Sequence, residues 1–128
     1  MDKQRKHEMK RLREALRTFD QAMWKFISYC QETYILPYDA EYLTTNEGMR
    51  RRASRYLEEF RASVEGIDHP LLDGACSDAE RNIKKIVSKQ PRTHVRFHLN
   101  NARTSLLSRM ERDRSSRVAF EWRHPEDW

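Results

Sequence analysis

The chain has 128 residues, 38% of them apolar and 35% charged, with 25 Lys and Arg against 20 Asp and Glu for a formal net charge of +5. A single domain of this length can bury a core without staples, and the presence of only three Gly and four Pro argues against a turn-rich β-protein. Neither GxGxxG nor GxxxxGK[ST] occurs, which excludes the common dinucleotide-binding and P-loop phosphate cradles.

The first element is the plainest. Met9, Leu12, Leu16, Phe19, Met23, Phe26 and Cys30 recur at spacings of three and four, which is one apolar face of a helix. Ala15, Ala22, Trp24 and Ile27 widen that face, and no Gly or Pro interrupts residues 2–34. At 1.5 Å per residue, such a helix is a rod of roughly 45 Å. Its three heptads also meet the minimum for a dimeric coiled coil, so a homodimer is compatible with the pattern. Pro37 stops the helix and turns Leu36 away from the α region. Residues 37–44 then read as an ordered loop whose Tyr38, Tyr42 and Leu43 can pack on the bundle.

Thr44 followed by Glu47 matches a capping box, with Thr44 as the expected N-cap of a second helix. The apolar face of that helix is Met49, Ala53, Tyr56, Leu57, Phe60 and Val64, and Gly66 suits its C-terminal cap. Asp68-His69-Pro70 and Asp73-Gly74 read as turns, with Leu71 and Leu72 tucked inwards. Ser77 and Glu80 form another capping box, so a short third helix is expected from Ser77. It places Ala79, Ile83, Ile86, Val87 and Gln90 on one side and ends at Pro91. The fourth helix runs from about Arg92 to Arg114 on Val95, Leu99, Ala102, Leu106 and Met110. Residues 115–128 form a tail in which Val118, Phe120 and Trp122 alternate, as in an extended segment. The expected fold is all-α: a single domain with a core over about 5–114, an elongated bundle of about four helices, one of them long, and an extended aromatic C-terminal tail.

Charge is segregated along the chain. Residues 62–80 hold five acidic groups and no Lys or Arg, whereas 81–117 hold eleven basic and two acidic residues. Residues 48–61 carry five basic and two acidic groups, and residues 1–17 seven and three. At 100° per residue, Arg96, Arg103 and Arg114 fall within about 20° of one line on the fourth helix, with Arg92 close to it. Arg81, Lys84 and Lys85 lie on the outer side of the third helix, and Arg51 and Arg55 project from the second. A phosphate backbone favours such a surface, because each cation that neutralises a phosphate releases counterions. Intrahelical pairs such as Arg55 with Glu58 or Glu59 would instead satisfy part of this charge locally.

Candidates for chemistry are few. His94 and His98 share a helical face, but a zinc site needs three or four ligands and no third is in view. Asp20, Glu32, Asp39 and Glu41 could supply paired carboxylates only if the fold gathered them. Cys30 and Cys76 lie outside any CxxC and read as buried, reduced thiols. Arg117 and His124 stand in an R-x6-H spacing that resembles the motif of the helical HEPN ribonucleases. That two-residue resemblance implies RNA cleavage at a dimer cleft, although here His124 precedes Pro125 and follows a non-helical pattern. In size, helical class and charge the chain also resembles the small helical subunits of RNA-guided complexes.

The expectation is therefore a non-catalytic nucleic-acid-binding module, a small subunit or accessory of a nucleoprotein complex. It needs no cofactor or metal. Its backbone-contacting set would be Arg51, Arg55, Arg81, Lys84, Lys85, Arg92, Arg96, Arg103 and Arg114. Phe120, Trp122 and Trp128 would anchor a protein partner. Two alternatives are a protein-interaction factor of the phage-inhibitor or adaptor kind, which sets the same basic face against an acidic protein, and a HEPN-like ribonuclease. The charged residues 1–10 hold no secretory apolar region, and no run approaches the ~20 apolar residues of a membrane span, so the expected compartment is the cytoplasm.

Overall fold

A computed structural model describes residues 3–31 and 45–111. They form four helices: α1 (Lys3–Gln31), α2 (Asn46–Ser63), α3 (Leu72–Lys84) and α4 (Arg92–Glu111), with no strand among the described residues. The all-α bundle expected from the apolar spacing is what forms. Met9, Leu12, Leu16, Phe19, Met23 and Phe26 of α1 are all buried, as are Val95, Leu99, Ala102, Leu106 and Met110 of α4. Cys30, the loop over 32–44 and the tail beyond Glu111 were expected to pack or extend in stated ways, and these readings lie outside the described side chains.

Neighbouring helices run antiparallel. Phe19 meets Phe60 at 5.7 Å between ring centroids, and Phe26 meets Tyr56 at 5.9 Å, so α2 descends as α1 rises. Asp78 of α3 reaches Arg109 of α4, and Asn82 Nδ2 lies 3.5 Å from Ser105 Oγ, which gives the same relation for α3 and α4. Asp20 reaches Arg103, closing the ring between α1 and α4. The result is an up-down-up-down bundle around one core.

Three boundaries differ from the sequence reading, one being the end of the third helix, which stops at Lys84 instead of running to Pro91 and leaves Val87 exposed. The N-cap of α2 is Thr45, whose hydroxyl accepts from the Gly48 amide at 2.9 Å, not Thr44. The third helix starts at Leu72 rather than Ser77, so the second capping box lies inside a helix. The apolar series Leu72, Ala75, Cys76, Ala79 and Ile83 is buried along one face, and this tertiary gain overrides the Asp73-Gly74 turn signal. Gly74 has its own reason to be there. A Cβ at this position would come within 2.9 Å of the Arg109 guanidinium, so any larger residue would make the end of that side chain shift. Gly66, by contrast, is at φ 85 just past α2, where the left-handed conformation favours Gly as expected.

Candidate functional site

The sequence's alternating charge blocks resolve in space into two unlike halves of the bundle. In one half, the basic start of α1 lies beside the acidic stretch 58–80. Arg5 Nη1 donates to the Asp68 carbonyl at 2.9 Å, and Arg11 Nη2 donates to the carbonyls of Ser63 and Glu65 at 2.9 and 3.1 Å. These arginines cap carbonyls at and just beyond the C-terminal end of α2. Arg61 reaches Glu80 at 3.3 Å and Arg109 pairs with Asp78, so these two carboxylates are answered within the fold. Lys84, by hydrogen bond and charge, and then Arg61 hold the Glu80 carboxyl below the usual range.

The other half gathers the start of α2, the α3–α4 connection and the start of α4. Asn46 makes this junction. Its buried amide donates to the carbonyls of Val87, Ser88 and Gln90 at 3.0, 3.3 and 2.9 Å. Arg92 adds a contact from α4, its Nη1 lying 3.5 Å from Met49 Sδ. Residues 45–55 and 84–98, joined in this way, carry nine Lys and Arg and one acidic residue, Glu47. Glu47 is shared by Arg51 at 3.0 Å and Arg50 at 3.7 Å. Glu32, Asp39 and Glu41 belong to 32–44, outside the described residues.

The expected contact set divides accordingly. Lys85 and Arg96 belong to the basic half and have no ion-pair partner among the described residues, and the same holds for Lys89, which the wheel did not single out. Arg51 and Arg55 are exposed, but they pair along α2 with Glu47 and Glu59, the latter at 3.4 Å. Arg81 and Lys84 are exposed and pair along α3, Arg81 with Asp78 at 3.2 Å and Lys84 with Glu80 at 3.4 Å. Exposed pairs of this kind are worth only ~0–1 kcal/mol each and are easily exchanged for an external anion.

Arg103 departs from expectation. Its side chain is 16% exposed, and its Nε donates to Asp20, whose side chain is 1% exposed. The proposed line from Arg96 through Arg103 is thus interrupted by an internal ion pair. The wheel placed Arg103 beside the core seam but could not see a partner 83 residues away. A signal was present in α1, where Asp20 stands among Leu16, Phe19 and Met23. A lone carboxylate on an apolar face needs a cation from another element. Arg114, Phe120, Trp122 and Trp128 lie outside the described residues, as do Arg117 and His124 of the ribonuclease-like spacing.

The two histidines differ in their surroundings. His94 is exposed, while His98 is half-buried with Gln90 Nε2 at 3.1 Å from its Nε2. No group of three His, Cys, Asp or Glu among the described residues could hold a metal ion. Desolvation, followed by the charges of Lys85 and His94, pushes the His98 imidazole below its ordinary pKa. The amide hydrogen bond agrees with that direction, since Nε2 accepts only when it carries no proton. Cys76 is buried, and burial pushes its thiol up despite the nearby Arg61.

Sequence reasoning did not anticipate Phe97. It is 62% exposed, the more exposed of two large apolar side chains on the described surface, the other being Val87. Phe97 lines an open groove between α1 and α4 with Trp24, Ile27, Ser28, Thr93, Arg96, Asn100 and Arg103. Among the described residues, no helix is long and apolar enough to cross a membrane. Comparison with protein-family models, with curated proteins and with solved structures finds no match for this chain.

Proposed function

We propose that this protein is a binding module, not a catalyst, and that it holds nucleic acid by the phosphate backbone at the basic half of its bundle, as a small subunit or accessory of a nucleoprotein assembly. The observation that carries the reading is the Asn46 junction. It brings residues 45–55 and 84–98 together, with nine basic groups against one acidic. Lys85, Lys89 and Arg96 supply cations with no ion pair among the described residues, and Arg51, Arg55 and Lys84 supply cations held by exposed pairs. Four such contacts on duplex DNA would give a log–log salt slope of about −4.

The test is fluorescence anisotropy of labelled oligonucleotides from low to physiological salt, with Lys85→Glu/Lys89→Glu in parallel. Binding that persists at physiological salt, weakens steeply with added salt and is lost in the double variant supports the reading. Binding confined to low salt, or indifferent to the variant, rejects it. Arg103 is left unaltered, because charge reversal there would test folding instead.

A second reading, a protein-interaction factor, draws on Val87, which is 52% exposed beside Lys85 and Lys89. An exposed apolar side chain flanked in sequence by cations suits an acidic protein surface. It would show one tight protein complex and nucleic-acid binding at low salt alone.

A further inference from the structure

The groove between α1 and α4 has the composition of a stacking platform. Phe97 presents its ring to solvent, while the flexible guanidinium of Arg96 comes from the adjacent position. Thr93 and Asn100, at four and three residues from Phe97, share its helical face and are exposed. Ile27 and the half-buried Trp24 form the opposite wall. No acidic residue lines the groove among the described residues. The ring of His98 stands edge-on to Phe97 at 6.0 Å, so the aromatic surface is bounded on one side.

We infer that this groove takes an unpaired nucleobase, stacked on Phe97, with Arg96 on the adjoining phosphate and Asn100 at the base edge. The inference rests on the nucleic-acid reading above and names its substrate class as single-stranded nucleic acid. An aromatic ring beside a cation in a groove is how sequence-tolerant single-strand binders gain affinity, because every base has a π-face. A duplex hides those faces within its own stack, so Phe97 would contribute little to duplex binding. The Asn100 amide offers both a donor and an acceptor, which suits base edges of either polarity. The absence of acidic lining residues favours an anionic strand over a basic or neutral peptide.

The experiment compares a single-stranded 20-mer with its duplex at physiological salt, using the full chain and the variants Phe97→Ala, Phe97→Trp and Lys85→Glu/Lys89→Glu. Stacking predicts that Phe97→Ala weakens single-strand binding about tenfold, within the range seen for base–aromatic stacking, while the salt slope stays the same. Phe97→Trp should retain affinity, and duplex binding should not change with either Phe97 variant. A strand carrying 2-aminopurine should be quenched on binding the unaltered protein and much less on binding Phe97→Ala. Because Phe97 is exposed, circular dichroism should show both Phe97 variants folded. Full single-strand affinity in Phe97→Ala, together with loss in the lysine variant, would overturn the stacking site and leave the backbone reading standing. Absence of binding by the unaltered protein would overturn both.

Discussion

Asp20 and Arg103 show how a single residue's surroundings decide its meaning. Removing one member of a buried pair strands the other charge, at a cost of typically ~3–5 kcal/mol. Asp20→Ala should therefore lower unfolding free energy by roughly 3 kcal/mol, read from urea transitions, the partial exposure of Arg103 keeping the loss near the lower end. His98 gives a pH dependence. Its folded pKa lies below that of the unfolded chain, so the unfolded state takes up the proton first as pH falls. Stability is complete above the ordinary imidazole value of about 6.5 and is lost as pH drops below it. Urea midpoints measured from pH 7.5 to 5 should decline in the natural chain and decline less in His98→Gln. Cys76 should behave as an inert thiol. In a Cys30→Ser chain at neutral pH, a disulfide reagent should react only as fast as the protein opens, because burial raises the thiol's pKa and blocks access.

At the scale of the element, the apolar rhythm was legible and the punctuation was not. The series Met9 to Phe26 and Val95 to Met110 mark one face of a helix each, and both faces are buried. Capping boxes are weaker evidence, because four residues of polar pattern recur by chance inside helices. Ser77-Asp78-Ala79-Glu80 is such a case, its polar members serving instead as ion-pair partners for Arg81, Arg109, Arg61 and Lys84. Asn46 could not be assigned from sequence, since its three acceptors are carbonyls 41 to 44 residues away. Its replacement by Asp should cost about 2 kcal/mol or more in thermal or chemical unfolding, because the donor is lost and a carboxylate faces carbonyl oxygens. Gly74 offers a cycle with Arg109. Gly74→Ala should gain about 1 kcal/mol of helix propensity when Arg109 is also truncated to Ala, and clearly less when the guanidinium remains.

At the scale of the molecule, the cations have two different occupations. Arg5 and Arg11 of the α1 start donate to carbonyls at and beyond the end of α2, so they hold the fold together. The cations of the Asn46 junction contribute little to it. Arg11→Glu should accordingly destabilise by about 1 kcal/mol or more through the loss of its carbonyl contacts. Lys85→Gln/Lys89→Gln should leave stability within ~0.5 kcal/mol, or raise it slightly by relieving repulsion. Denaturation curves of these variants separate folding charge from binding charge without any ligand. The candidate site was half visible in the sequence. The block 81–117 announced a basic surface, but which of its members face outward depended on long-range partners. Phe97 was hidden because one aromatic off a helical seam looks ordinary until its exposure is known.

The Asp20–Arg103 pair also acts as an indexing pin between α1 and α4. Sliding α4 by one turn, about 5.4 Å, would set Asp20 against Leu99 or Leu106 and leave both charges stranded in an apolar interior. Hydrophobic layers alone tolerate such a slip, since one leucine replaces another. A chain with Asp20→Leu and Arg103→Met is thus expected to stay helical and to equal or exceed the original in stability, yet to give doubled or broadened amide resonances along α1 and α4. Sharp single resonances in that chain would assign the choice of register to side-chain shape alone.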